Sequence, residues 1–178
     1  MILQGGTGNG YSAKVDSENK LHTRAVTQLE VAHTSIDEGL AFMWSATADW
    51  GADKNALWLR NDDTEKKLVI EKIIVSPAAS CQFEMGVGTG NTVAGTAVVG
   101  TNMNLQSGRV ALATCRHTNT NCDASAGLTV LGTAWSSVGL NPVPLDGTLV
   151  LGYLDEVAIN LITDVGSSTV NIMGYYHD

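Results

Sequence analysis

Charge is scarce in this sequence. Lys, Arg, Asp and Glu together make up 16% of its 178 residues, against the quarter or so usual in soluble domains. Thr, Ser, Asn and Gly must therefore cover much of the surface. The charge that exists is lopsided, with ten basic residues against eighteen acidic ones and a net charge of −8. A phosphate backbone recruits basic patches, so this balance argues against nucleic acid as a partner. An anionic membrane surface is disfavoured on the same ground. The shortage is also uneven. Residues 1–36 carry three basic and three acidic groups and are neutral, whereas residues 73–178 carry two basic and seven acidic groups.

Long apolar runs are missing too. No stretch approaches the roughly 18 apolar residues of a membrane span. The opening residues Met1 to Gly6 show neither a basic region nor a long apolar core, so no signal peptide is expected. There is no Asn-x-Ser/Thr sequon. Three cysteines, Cys81, Cys115 and Cys122, are too few for a disulfide framework. Cys115 and Cys122 stand at a spacing that a hairpin disulfide could span, but buried or idle thiols are the expected state.

Catalytic patterns are absent as well. No Gly-x-Ser-x-Gly is present to seat a nucleophile on a strained turn. Asp155 and Glu156 are adjacent in an apparent strand and so point to opposite faces, unable to share a substrate. His22, His33, His117 and His177 are scattered, without His-x-x-x-His or Cys-x-x-Cys spacing. Asp49, Asp53, Asp62 and Asp63 are oxygen donors of the type calcium takes, but they do not match the EF-hand loop and read as solvated loop carboxylates. Gly86-Val87-Gly88-Thr89-Gly90-Asn91 looks like a dinucleotide loop, but its third glycine falls one place early and no helix pattern follows, so a hairpin loop is expected. Trp44, Trp50, Trp58 and Trp135 could form a sugar-stacking platform; in period-2 runs such as Ala56-Leu57-Trp58-Leu59 they read as core. The expectation is therefore no enzyme, no catalytic residue, no cofactor and no metal.

What is present is a strand pattern behind a glycine-rich arm. The length suits one domain plus an arm. Gly5, Gly6, Gly8 and Gly10 soften the backbone at the start. Tyr11, Ala13 and Val15 then alternate with polar residues, Ser17-Glu18-Asn19 reads as a turn, and Leu21 to Val26 as a second extended run. Such a segment buries little of itself and needs another surface to order it. Thr27-Gln28-Leu29-Glu30 is a capping box, with Val26 and Val31 at the staple positions, and predicts a short helix over 28–36. From Gly39 onward, strands are expected at 40–47, 55–60, 67–75, 80–87, 97–104, 109–116, 127–134, 147–153, 156–163 and 168–176. Leu68 to Val75 is nearly continuous, as for a strand buried on both faces. Asn61-Asp62-Asp63, Ser76-Pro77, Asn119 to Asp123, Asn141-Pro142 and Val165-Gly166-Ser167 supply turn chemistry. Many short strands without βαβ alternation point to a sandwich or jelly roll.

The arm phrase Gly6-Thr7-Gly8-Asn9-Gly10-Tyr11-Ser12-Ala13-Lys14-Val15-Asp16-Ser17-Glu18-Asn19-Lys20-Leu21-His22-Thr23-Arg24-Ala25-Val26 resembles one found in virion structural proteins of tailed bacteriophages, where it precedes a β-rich body. A second similar phrase runs from Gly95 to Gly108, and a third from Asp155 through His177. The likeness spans most of the chain. It implies a capsid decoration (cement) protein, a class often trimeric that sits outside the shell and clamps neighbouring subunits. It carries no catalytic residues over.

The reading that results is an all-β, jelly-roll-like antiparallel β-sandwich with an extended N-terminal arm and one short helix. The arm is 1–26, the helix and connector 27–38, and the body 39–178. Ile2, Leu3, Gly6, Gly8, Gly10, Tyr11, Val15, Leu21 and Val26 are the expected partner-binding residues of the arm. They would add main-chain bonds and apolar side chains to a neighbouring sheet edge. The expected partners are the major capsid protein and further copies of the chain in a homotrimer, on the outer surface of the capsid. A charge-poor body suits packing between copies, because interface cores are depleted in charge. The alternative is a receptor- or glycan-binding module of a tail fibre or baseplate.

Overall fold

The structure is a computed structural model, and it describes residues 14–15, 21–22, 38–50, 52, 54–117, 128–163 and 166–177. The body strands are β3 (Ala41–Asp49), β4 (Lys54–Asn61), β5 (Lys67–Ser76), β6 (Cys81–Thr89), β10 (Thr129–Ser136), β11 (Asn141–Leu151), β12 (Asp155–Leu161) and β13 (Ser167–His177). They form two antiparallel sheets, ordered β10-β6-β12-β4 and β11-β5-β13-β3. Successive strands pass from one sheet to the other, except that β6 and β10 share a sheet. Eight strands in this interleaved order make a jelly roll.

Three short strands sit in the connection between β6 and β10: β7 (Thr96–Ala97), β8 (Thr101–Asn102) and β9 (Ala113–His117). β8 extends one sheet beyond β3, while β9 and then β7 extend the other beyond β4. The insertion thus covers both sheets along one side of the sandwich. Asn102 Nδ2 donates to the Gly39 carbonyl at 2.8 Å, and the Met103 amide donates to Ala41 at 2.9 Å. A Cβ on Gly100 would lie 2.6 Å from the Trp44 indole nitrogen, so only glycine lets the insertion approach that ring.

Strand period explains the core. In β3, Phe42, Trp44 and Ala46 are buried while Met43, Ser45 and Thr47 face out. Leu57 and Leu59 of β4, Val157, Ile159 and Leu161 of β12, and Val170 and Ile172 of β13 supply inward faces in the same way. β5 lies between β11 and β13, and its run Leu68-Val69-Ile70 is buried throughout. Val69 joins Ala41 and Tyr175 in a small second cluster on the far face of its sheet.

Several expectations need correction. The run expected as one strand at 97–104 is two two-residue bridges, and the strand expected from 109 begins at Ala113. Asn141-Pro142, read as a turn, opens β11. β11 is an edge strand, and a proline there removes no ladder bond that a neighbour needs. In the arm, the two extended runs pair with each other, as β1 (Lys14–Val15) and β2 (Leu21–His22), in register Lys14↔His22 and Val15↔Leu21. The 28–36 helix and the arm positions Ile2, Leu3, Gly6, Gly8, Gly10, Tyr11 and Val26 lie outside the described residues.

Candidate functional site

The groups that looked most like chemistry are tied into the sandwich. Glu156 is fully buried, and its Oε2 accepts a 2.8 Å bond from the Trp58 indole N–H. Its Oε1 accepts from Asn91 Nδ2. Asp155 serves a different partner, accepting the Gly152 amide at 2.9 Å within the β11–β12 turn. The glycine-rich run is not a loop: Gly86 to Thr89 end β6, and Gly90 makes the turn with φ +75°. A Cβ on Gly88 would lie 2.6 Å from Leu128 and 2.8 Å from the Glu156 carboxylate, so close packing accounts for that glycine.

The acidic loop is equally committed. Asp62 accepts from Arg60 Nε at 2.7 Å and from the Thr114 hydroxyl. Asp63 Oδ1 accepts the amides of Glu65 and Lys66 at 2.9 and 3.0 Å, an Asx-type turn. Arg60 also lies over Trp58, 5.5 Å from the ring centroid. Asp62 and Asp63 border an open groove of about 620 Å³, with Arg109 on its rim and Tyr176 in its wall. Burial raises the Tyr176 phenol above its ordinary pKa, and Asp63 and Asp62 add to the rise. Asp49 ends β3, while Asp53 lies outside the described residues. Among the described residues no three His, Cys, Asp or Glu side chains gather into a metal-binding group.

Both described cysteines are free and buried. Burial pushes the Cys115 thiol up strongly and the Cys81 thiol in the same direction. Low-pKa, exposed thiolates are the reactive ones, and burial works against that state at both positions. Cys122 lies outside the described residues, and His117 stacks edge-on against Trp50 at 6.1 Å.

The tryptophans divide three to one. Trp44, Trp50 and Trp58 are core, but Trp135 is 72% exposed. It belongs to β10, which bonds to β6 along one side and has no strand on the other among the described residues. An edge strand of a sandwich ordinarily buries alternate side chains. In β10 every residue from Thr129 to Trp135 is exposed, and only Ser136 is buried. Val130, Leu131 and Trp135 thus stand in solvent, joined by Val138 and Leu140 in the turn to β11. Beside them an apolar cavity of about 140 Å³ opens between the sheets, lined by Ile73, Phe83, Met85, Ala134 and Val143. A second exposed apolar set, Val99, Leu105 and Val110, lies in the insertion, next to Arg109.

The sequence reading placed a strand at 127–134 but did not distinguish it from the others. Its available signal was the lack of any Asp, Glu, Lys, Arg or Pro from Leu128 to Leu140. Of the expected arm residues, only Val15 and Leu21 fall in described backbone, where the register sets them opposite each other. Comparison with protein-family models, curated proteins and solved structures gives no match.

Proposed function

We propose that this chain is a capsid decoration protein of a tailed bacteriophage, a non-enzymatic module that binds the outside of the assembled shell. Its partners in this reading are the major capsid protein and further copies of itself in a homotrimer. The observation that carries the reading is a jelly-roll body, net acidic, whose edge strand β10 offers apolar side chains and, among the described residues, an edge with no partner strand. Jelly rolls recur in viral capsid proteins, an argument from fold analogy that adds to the phage-like arm phrase. The mechanism is mass action: many copies bind the assembled shell but not its dissociated subunits, and so stabilise it. The tail-fibre alternative draws on Trp135 alone, because the other three tryptophans are buried.

The test is co-sedimentation of the purified chain with assembled shells and with dissociated capsid protein, using the full chain and one lacking residues 2–20. Saturable binding to shells, lost on deletion while the deleted chain melts unchanged, supports a decoration protein held by its arm. A deleted chain that melts markedly lower and still binds assigns the arm to the body. No binding to shells, together with binding to host envelope glycans, transfers the chain to the tail-fibre reading.

A further inference from the structure

We infer that β10 and the turn after it form the surface through which copies of this chain associate. The inference rests on the self-association proposed above and names the surface that performs it.

Three observations converge on this edge. First, β10 is ordered by its ladder to β6, yet every residue from Thr129 to Trp135 is exposed, and Gly132, Thr133 and Ala134 border the cavity between the sheets rather than fill it. An exposed strand with apolar side chains on both faces is complete only when another surface covers it. Second, two of the usual protections of an edge, charge and proline, are absent from β10. β11, its neighbour on the same side, carries Pro142, Pro144 and a register break between Pro144 and Leu149. β10 has a bulge between Val130 and Gly132, but no charge and no proline.

The third observation chooses the occupant. From Leu128 to Leu154 the only charged residue is Asp146, in a chain of net charge −8. Two such chains repel each other over most of their surface, and this face brings few carboxylates together: Asp146 within the segment and Glu84 of β6, which stands opposite Thr133. A basic partner would be drawn elsewhere, to the acidic surfaces. The exposed apolar set in the insertion is less suited to self-contact because Arg109 adjoins Val110. Trp135 is the expected anchor, since buried aromatics dominate protein interfaces.

The experiment is sedimentation equilibrium of the whole chain without shells, for the natural sequence, for Trp135→Asp with Leu131→Lys, and for Leu105→Asp as a control. Leu105 is more exposed than Trp135 and lies in the insertion. The natural chain and the control should be oligomers, and the double variant should associate about 30-fold more weakly or worse. Far-UV circular dichroism checks that all three are folded. Hydrogen exchange on the natural chain gives a second reading, with the Thr129–Ser136 amides gaining protection as concentration rises. A natural chain that is monomeric at tens of micromolar overturns the inference. So does an oligomer that the double variant leaves intact, or one that dissolves in the control alone. Shell binding separates this inference from the proposed function. A chain that associates through β10 but ignores shells keeps the inference and ends the decoration reading. A chain that binds shells as a monomer does the reverse.

Discussion

The β3/β4 side and the β10/β11 side of the sandwich end in opposite ways. At the first, the insertion adds β8 to one sheet and β9 with β7 to the other, pairing β3 at Phe42 and Met43 and β4 from Trp58 to Asn61 along their outer edges. Trp44 is sealed beneath Gly100, and Cys115 is buried in β9. At the second side nothing is added among the described residues. β11 is blunted by prolines and a bulge, whereas β10 has a bulge but neither proline nor charge, and its side chains from Thr129 to Trp135 are exposed. Both sides face the same problem of unpaired main-chain groups. One is partly met within the chain, and the other has no partner strand among the described residues.

If that contrast holds, the two sides must respond differently to the loss of a large aromatic. Trp44→Ala, on the capped side, removes a fully buried side chain from the main cluster. It should cost roughly 3–5 kcal/mol, read from urea denaturation of the dilute chain. A cost under about 1 kcal/mol would mean that the insertion is not a true cap.

Alkaline pH sharpens the comparison at intermediate size. Burial raises the Cys115 thiol above its ordinary value, and the raised folded-state pKa means that the folded chain holds its proton where the unfolded chain has lost it. The resulting stability is complete below the unfolded pKa of about 8.5 and declines as pH rises above it. The slope approaches about 1.4 kcal/mol per pH unit for this thiol. Cys115→Ala should flatten the decline between about pH 8.5 and 10, at the expense of some packing. Cys81, opposite Ser136 of β10, is raised in the same direction and should contribute less. An equal effect from both thiols would erase the difference between the sides.

The smallest effect is expected at the open edge. Trp135→Ala should change the stability of the dilute, monomeric chain by no more than about 0.5 kcal/mol, because its ring is largely in water already. A larger loss would show that β10 belongs to the core after all.

Much of this fold was legible in the order of residues. Strand period placed β3 to β6, β12 and β13 close to their observed bounds, because inward and outward side chains alternate wherever one face is buried. The continuous apolar run of β5 announced a central strand. The failures share one cause. Pro142 reads as a turn by its local chemistry, yet it is a strand residue because β11 has no neighbour on one side. Likewise Gly88 reads as loop, yet Leu128 and Glu156 press against it.

The candidate surface divides in the same way. Composition established the acidic balance and the charge-poor second half, and spacing established strands over helices, since these depend on residue type and order alone. Which tryptophan faces water did not follow from spacing. Trp58 and Trp135 both sit in short strand-like runs, and only the placement of β4 inside a sheet and β10 at its edge buries one and exposes the other. Period gives a strand two faces; which of them meets a core, and which edge meets nothing, is decided by strands far away in the chain.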